Sequence, residues 1–323
     1  KASHVHDMSH EKQYEEMSRR QTAGHTRAYV KIQDGCDQFC TYCIIPYTRG
    51  RVRSRSLPDI LSEVETLAGN GYQEVVLTGI HLDSYGADLP DKDLLDVIRA
   101  AAGVEGIRRI RLGSLEPRIM TEPFVRGLAS VEKLCPHFHL SLQSGCDETL
   151  KRMNRRYDTQ EFRACCERLR AAFDQPALTT DVMVGFPGET EEEFARTVAF
   201  LEEIRFYEMH VFKYSRRKGT RADRMEGQIP EPVKTQRSEA LLKLTKEQSR
   251  AYRQRLLGAT AEVLMEEPYV CRGEVWQTGH TETYVKVAVP GEMPLMNRLL
   301  QVKVDGFLEN DILRGILTEA DRK

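Results

Sequence analysis

The sequence predicts an α/β fold, an incomplete (β/α)6 barrel followed by a small antiparallel β-barrel. Three observations carry that prediction. Short apolar runs alternate with helix-like stretches through most of the chain, capping signals precede several of the helices, and beyond residue 257 the apolar period shortens to two.

Taken in order, the runs are 28–33, 74–78, 107–112, 137–142, 178–184 and 208–213. Such alternation favours parallel strands with crossover helices, and six repeats fall short of a closed eightfold barrel. Sites then belong at the carboxyl ends of the strands. Helix starts are marked by Ser56-Leu57-Pro58-Asp59, by Asp158 with Glu161, and by Thr190 with Glu193. A last long helix begins near residue 234, with Leu241 and Leu244, then Tyr252 and Leu256, at helical spacing and Gly258 as its stop. Residues 284–289 and 300–304 alternate apolar and polar among Gly273, Gly279, Gly291 and Gly306. A small barrel of this kind often binds nucleic acid, with Arg272, Lys286, Arg298 and Lys303 as candidate contacts. Residues 1–26 are polar and read as a linker, and their His4, His6 and His10 as solvated side chains rather than ligands. The expected divisions are therefore 1–26, 27–256 and 257–319.

Composition narrows the function. Lys plus Arg number 47 against 49 Asp plus Glu in 323 residues, a net charge of −2, so a polyanion must be met by local patches. No apolar stretch approaches the ~20 residues of a membrane helix, and no secretory signal is visible. The expectation is a cytoplasmic protein without disulfides. Arg49, Arg51, Arg53 and Arg55 alternate, so an extended backbone would set all four on one side as an anion-binding row. Arg216, Arg217, Lys218 and Arg221, after the sixth run, are placed to join that row at the barrel mouth.

Of eight cysteines, Cys36, Cys40 and Cys43 fall within eight residues, in a polar loop with Asp37, Gln38 and Thr41. Inert cysteines prefer apolar settings, so ligation is the leading explanation. A closed zinc site needs four ligands, and no fourth Cys or His stands at finger-like spacing. Three thiolates on a four-iron cluster leave one iron open to a substrate or cofactor.

Cys36-x-x-x-Cys40-x-x-Cys43 after a first strand, with Tyr42 before the last cysteine, resembles the radical S-adenosylmethionine signature. Tyr29-Val-Lys-Ile-Gln-Asp-Gly-Cys36, Cys43-Ile-Ile-Pro-Tyr-Thr-Arg-Gly-Arg-Val-Arg-Ser-Arg55, Leu140-Ser-Leu-Gln-Ser-Gly145 and Asp181-Val-Met-Val-Gly-Phe-Pro-Gly-Glu189 are similar to the methylthiotransferases of that group. Lys31-Ile-Gln-Asp-Gly and Leu77-Thr-Gly-Ile-His-Leu-Asp-Ser-Tyr-Gly86 resemble the branch acting on threonylcarbamoyladenosine at position 37 of tRNA. The isopentenyladenosine branch would show Gly-Gln-Asn in place of Gly79-Ile80-His81, and the ribosomal-protein branch tends to lack Tyr47-Thr48-Arg49. The carboxyl region is similar to the family's RNA-binding TRAM barrel.

The resemblance implies a TIM-like radical SAM barrel with a [4Fe-4S] cluster on Cys36, Cys40 and Cys43. S-adenosylmethionine is then held by Thr78, Gly79, Ser114, Glu116, Ser141 and Gln143, with Tyr42 against the adenine and Gly185 and Gly188 admitting the nucleoside. Reductive cleavage yields a 5′-deoxyadenosyl radical, chemistry that belongs to the cofactor, so no catalytic side chain is assigned. The implied partners are the tRNA anticodon stem-loop and a flavodoxin-like electron donor, with no DNA and no membrane. The family's second [4Fe-4S] cluster sits in an amino-terminal domain absent from this sequence, and Cys135, Cys146, Cys165, Cys166 and Cys271 do not replace its ligands. These residues alone are expected to cleave S-adenosylmethionine without transferring sulfur. A reading from another class is an RNA-binding protein with a structural metal site on the same three cysteines.

Overall fold

The computed structural model describes Tyr14 and residues 26–321. The expected linker, with His4, His6 and His10, lies outside the described residues apart from Tyr14 and Thr26. In chain order the elements are β1 (Arg27–Asp34), α1 (Ile45–Thr48), β2 (Arg53–Ser54), α2 (Leu57–Gly69), β3 (Glu74–Gly79), α3 (Leu94–Gly103), β4 (Arg109–Leu112), α4 (Glu122–Ala129), β5 (His137–Gln143), α5 (Asp147–Arg152), α6 (Thr159–Ala172), β6 (Ala177–Val184), α7 (Glu191–Ile204), β7 (Glu208–Lys213) and α8 (Glu231–Gln254). Then come β8 (Thr260–Cys271), β9 (Glu274–Thr281), β10 (Lys286–Pro290), β11 (Leu299–Phe307) and β12 (Leu313–Leu317).

All six expected strands form, and they run parallel. β1, β3 and β4 pair in one sheet and β5, β6 and β7 in another, and bridges Ile110 to Leu134 and Leu115 to Leu140 carry the arc between them. The arc stays open between β1 and β7, with the two-residue β2 added antiparallel to β1. β5 shows why it curves around a polar interior. Phe138, Leu140 and Leu142 are fully buried toward the helices, while His137, His139, Ser141 and Gln143 alternate onto the lumen face. Each crossover helix covers the arc with its apolar side, as Ile60, Val64 and Leu67 of α2 do.

The capping signals form as expected. Ser56 accepts from the Asp59 N–H, and Asp158 with Glu161 and Thr190 with Glu193 make reciprocal boxes. Asp93 with Asp96 makes a further box on α3 that the sequence reading missed. Boundaries moved where pairing decided them: the run at 107–112 becomes a strand only from Arg109, opposite Glu74. The last helix starts at Glu231 behind Pro230 and ends at Gln254, short of Gly258.

The carboxyl segment closes as a five-stranded barrel, ordered β10, β12, β11, β8, β9. One pair, β10 with β12, is parallel, so the expectation of a wholly antiparallel unit is corrected. Its apolar filling, including Val263, Met265, Val287 and Val302, is continuous with Ala177, Tyr207 and Tyr252 of the larger unit. The small barrel plugs the amino-terminal end of the open one. There Arg109 donates to the Glu262 and His280 carbonyls, and Arg111 to the Glu282 carbonyl. Among the described residues no helix is long and apolar enough to cross a membrane.

Candidate active site at the barrel mouth

The loop after β1 carries the three cysteines to the carboxyl end of the arc, where the fold class places its sites. The loop leaves the strand through Gly35, at φ +73, where a Cβ would lie 1.8 Å from the Arg51 carbonyl oxygen, so only glycine fits. The Cys36 N–H then donates to the Gly50 carbonyl at 3.1 Å, and the Cys43 N–H to that of Cys40 at 3.0 Å. From across the barrel, the segment after α5 clamps the loop. Thr41 donates through its N–H to the Met153 carbonyl and through its hydroxyl to that of Arg152, and Asn154 donates to the carbonyls of Gln38 and Phe39.

Cys36, Cys40 and Cys43 are free and half-buried. Burial pushes the Cys36 thiol up to about 11, with Cys40 and Cys43 adding repulsion, and burial raises Cys43 as well. Thiols held neutral in this way, as Cys36 and Cys43 are, ionise readily only beside a compensating cation, and the soft sulfur donors of all three cysteines suit iron. The residues therefore fit the cluster that the motif implies. The other cysteines stand apart, with Cys165 and Cys166 buried side by side on α6 within the core.

Arg155 organises the ground beneath the thiols. It is almost wholly buried and donates to Cys40 Sγ at 3.4 Å and to the Ser141 carbonyl at 3.1 Å, and it pairs with Glu116 at 2.8 Å. Tyr157 lies under its guanidinium and donates to the carbonyls of Ser141 and Leu142. Burial opposes ionisation of Glu116, but the His81 hydrogen bond and Arg155 outweigh it and hold the carboxyl below its usual value. The Glu116 N–H donates to Asp83, whose carboxyl burial raises to about 7. Gln33, fully buried, donates to the carbonyls of Asp34 and Gly35 and accepts the His81 N–H, joining the first and second strand ends. Sequence reasoning missed Gln33, His81, Asp83, Arg155 and Tyr157. The one available signal was the polar Gln33 at the end of an apolar strand.

The other expected positions divide. Thr78 and Gly79 end β3, and the Gly79 backbone approaches Gln33 closely enough that a Cβ would come within 2.8 Å of its amide oxygen. Ser114 is exposed, Ser141 faces the lumen, and Gln143 sits at φ +69 on a bulge of β5. Tyr42 packs edge-on against Phe186, in an apolar cluster with Met153 and Tyr214. At Gly185, at φ +70, a built Cβ would lie 2.3 Å from Lys234 Cγ, so the backbone there is packed closely against that side chain. Gly188 likewise packs on Arg152 and Gly227.

The arginine row is also corrected. Only Arg53 lies on a strand, Arg49 following the short α1 turn, and the four side chains part company. Arg53 is buried against Asp34 and donates to the carbonyls of Arg49 and Arg51, while Arg55 is buried in an ion pair with Glu63. Burying such charges requires partners, and these two have found theirs within the chain. Arg49 and Arg51 remain exposed, Arg51 beside Asp37. Arg217, Lys218 and Arg221 are exposed on the loop that hydrogen-bonds the thiol loop, Ala222 N–H to the Thr41 carbonyl at 2.8 Å, whereas Arg216 pairs with Asp223. Arg272 and Lys303 stand at opposite ends of β8, Arg298 beside its middle, and Lys286 pairs with Glu267, so the four do not share one patch.

An open parallel barrel with three free thiols on its first loop defines a class of cluster-bearing barrel enzymes. The Radical SAM superfamily model matches residues 30–201, and the chain belongs to that superfamily and, within it, to the methylthiotransferase family. It is 39% identical over 293 residues to a threonylcarbamoyladenosine tRNA methylthiotransferase of Bacillus subtilis (strain 168), covering 90% of this chain and 65% of that protein. A tRNA-2-methylthio-N(6)-dimethylallyladenosine synthase of Desulfitobacterium hafniense (strain Y51) is likewise 39% identical, covering 87% and 63%. A threonylcarbamoyladenosine tRNA methylthiotransferase of Chlamydia pneumoniae is 39% identical over 91% of this chain and 69% of its own length. The chain thus spans a little under two thirds of the first two relatives. Among solved structures, coproporphyrinogen III oxidase of Escherichia coli matches with TM-score 0.52 and 16% identity over 80% of this chain and 68% of that one. A radical S-adenosylmethionine methyltransferase of Kitasatospora setae matches with TM-score 0.52 and 18% identity over 61% and 36%. These two speak for the fold alone.

Proposed function

We propose that the chain is the catalytic core of a tRNA methylthiotransferase that acts at C2 of N6-threonylcarbamoyladenosine 37. The observation that carries this is the trio of free, half-buried thiols at the barrel mouth, clamped from the loop after α5 and touched by Arg155. Cys36, Cys40 and Cys43 would hold a [4Fe-4S] cluster, and Thr78, Gly79, Ser114, Glu116, Ser141 and Gln143 would surround S-adenosylmethionine. When bound, the pair supplies one-electron reduction of a sulfonium and hydrogen-atom abstraction. The chain's own residues do the rest. Arg155 orients Cys40 and keeps Glu116 ionised as a hydrogen-bond acceptor. Gln33 holds the ends of β1 and β3 in register, and the Tyr42, Phe186 and Tyr214 rings keep water from one side of the thiol loop.

In this reading residues 27–256 form the radical SAM unit and 257–319 a TRAM-like RNA-binding unit. The anticodon stem-loop is met by Arg49, Arg51, Arg217, Lys218 and Arg221, a flavodoxin-like protein supplies electrons in the cytoplasm, and a second cluster on a further domain carries the sulfur. Anaerobic reconstitution with iron and sulfide tests the centre. The expected result is iron–sulfur absorbance and release of 5′-deoxyadenosine on reduction with S-adenosylmethionine present. A filled tetrahedral zinc centre with no 5′-deoxyadenosine would overturn it.

A further inference from the structure

The lumen holds a second polar group, one layer below the thiol loop, that no step above uses. His139 of β5, Asp181 of β6 and His210 of β7 project from three consecutive strands onto one face. Asp181 pairs in register with His210 and His139 with Thr179, while the intervening Leu140 and Val182 are buried on the other side. Their nearest nitrogen and oxygen atoms lie within 4.8 Å of one another. His139 Nε2 stands 3.4 Å from Asp181 Oδ2, and its Nδ1 is 3.0 Å from the Thr179 hydroxyl, which fixes the ring. The His139 and His210 rings are 5.6 Å apart. Ser141, two residues along β5 from His139 on the same face, gives its carbonyl to Arg155, which touches Cys40. The group is therefore a floor about one strand repeat, roughly 7 Å, beneath the contacts of the thiol loop.

We propose that this floor binds the N6 substituent of the target adenosine and selects a hydrogen-bonding one. The inference rests on the radical reading above and adds that C2 of the base faces the mouth, where the radical would form. On the purine ring the C2–H and C6–N6 bonds diverge by about 120°, so an adenine presenting C2 to the mouth sends its N6 arm sideways and inward, toward the strand faces that line the lumen. A threonylcarbamoyl arm carries ureido N–H donors, a hydroxyl, a carbonyl and a carboxylate. Asp181 accepts from the N–H or hydroxyl groups, and the two imidazoles donate to the carbonyl or carboxylate. A dimethylallyl arm offers none of these beyond the N6–H. It would press carbon against the half-buried Asp181 and His139 and take their water without replacing it, the arrangement by which polar sites reject apolar analogues. Relatives acting on the two substituents match this chain at the same 39% identity, so overall similarity does not choose between them. The lumen floor does.

The test compares anticodon stem-loop RNAs identical except for threonylcarbamoyl or dimethylallyl on adenosine 37, titrated against the purified chain. Wild type is expected to bind the threonylcarbamoyl RNA at least tenfold more tightly. The isosteric Asp181→Asn and the exposed His210→Gln should each shrink that ratio, with affinity for unmodified RNA as the reference for general phosphate binding. Equal affinities, a preference for the dimethylallyl RNA, or a ratio untouched in both variants would overturn the proposal. So would a cobalt(II) visible spectrum that requires Asp181, because it would make the group a metal site. The radical reading fails separately, through absence of 5′-deoxyadenosine, a measurement in which neither modified RNA takes part.

Discussion

The two ends of the open barrel are both polar, one buried and one half-open, and they serve different ends. At the amino-terminal end Arg27, Arg109 and Arg111 face Glu74, Glu262 and Glu266. Arg111 lies 2.8 Å from Glu74, Arg109 3.1 Å from Glu262, and Arg27 3.1 Å from Glu266. Tyr284 is enclosed there by Arg27, Arg111, His137 and His280. Charge cancels within the chain, and the result is a seal between two units. At the mouth, three free thiols share one loop that is flanked by Arg155 and Arg217. Polarity inside a barrel does not mark a site. A donor set whose compensation must come from outside the chain does.

That contrast can be broken in order of expected effect. Cys40→Ser should abolish assembly of the reconstituted centre, read as loss of iron–sulfur absorbance, while the unfolding midpoint in denaturant moves little. At the seal, Glu74→Gln should act the opposite way. It leaves Arg111 buried without its carboxylate, while Arg109 keeps Glu262, and should cost about 3–5 kcal/mol in denaturant unfolding while the centre still loads in the folded fraction. A Glu74→Gln protein as stable as wild type would show the seal to be ornamental.

Acid should weaken the seal in a defined direction. Burial favours the neutral form of Glu74, but Arg111, followed by Arg27 and Arg109, outweighs it and holds the carboxyl below its usual value. A lowered folded-state value means the stabilisation is fully present above the unfolded glutamate value of ~4.3 and fades as pH falls below it. Thermal midpoints measured downward from pH 6 should fall more steeply below that point in wild type than in Glu74→Gln. The smallest effect separates the arginines. Arg51→Ala should change stability by under about 0.5 kcal/mol yet reduce the salt dependence of tRNA binding by about one ion. Arg53→Ala should cost more stability than that, because Asp34 and the carbonyls of Arg49 and Arg51 lose a buried donor.

Residues close in sequence were legible. Cys36, Cys40 and Cys43 share a loop whose spacing is visible in the chain, and the strand runs and capping boxes are local patterns that packing did not overrule. Arg155 was invisible, since 115 residues separate it from Cys40, and nothing in Asn154-Arg155-Arg156-Tyr157 says which thiol it meets. The alternating arginines misled for a related reason. Period two implies one shared side only if the backbone stays extended, and here Arg49 keeps a helical conformation as the cap of α1 and Gly50 turns at φ +74 before the two-residue β2. The side chain packed against Gly185 was invisible for the same reason as Arg155, since Lys234 comes from a helix 49 residues on.

By itself, then, the sequence determined the order of strands and helices, the thiol motif and the change of period that announces the small barrel. Each depends on interactions within about one turn or one strand. Tertiary structure alone decided which charges are spent inside the protein and which face the lumen: Arg53, Arg55 and Glu74 on one side of that division, His139, Asp181 and His210 on the other. The reason is physical. A charged side chain's role is set by the partner that replaces its water, and in a barrel that partner arrives from a strand or helix far away along the chain.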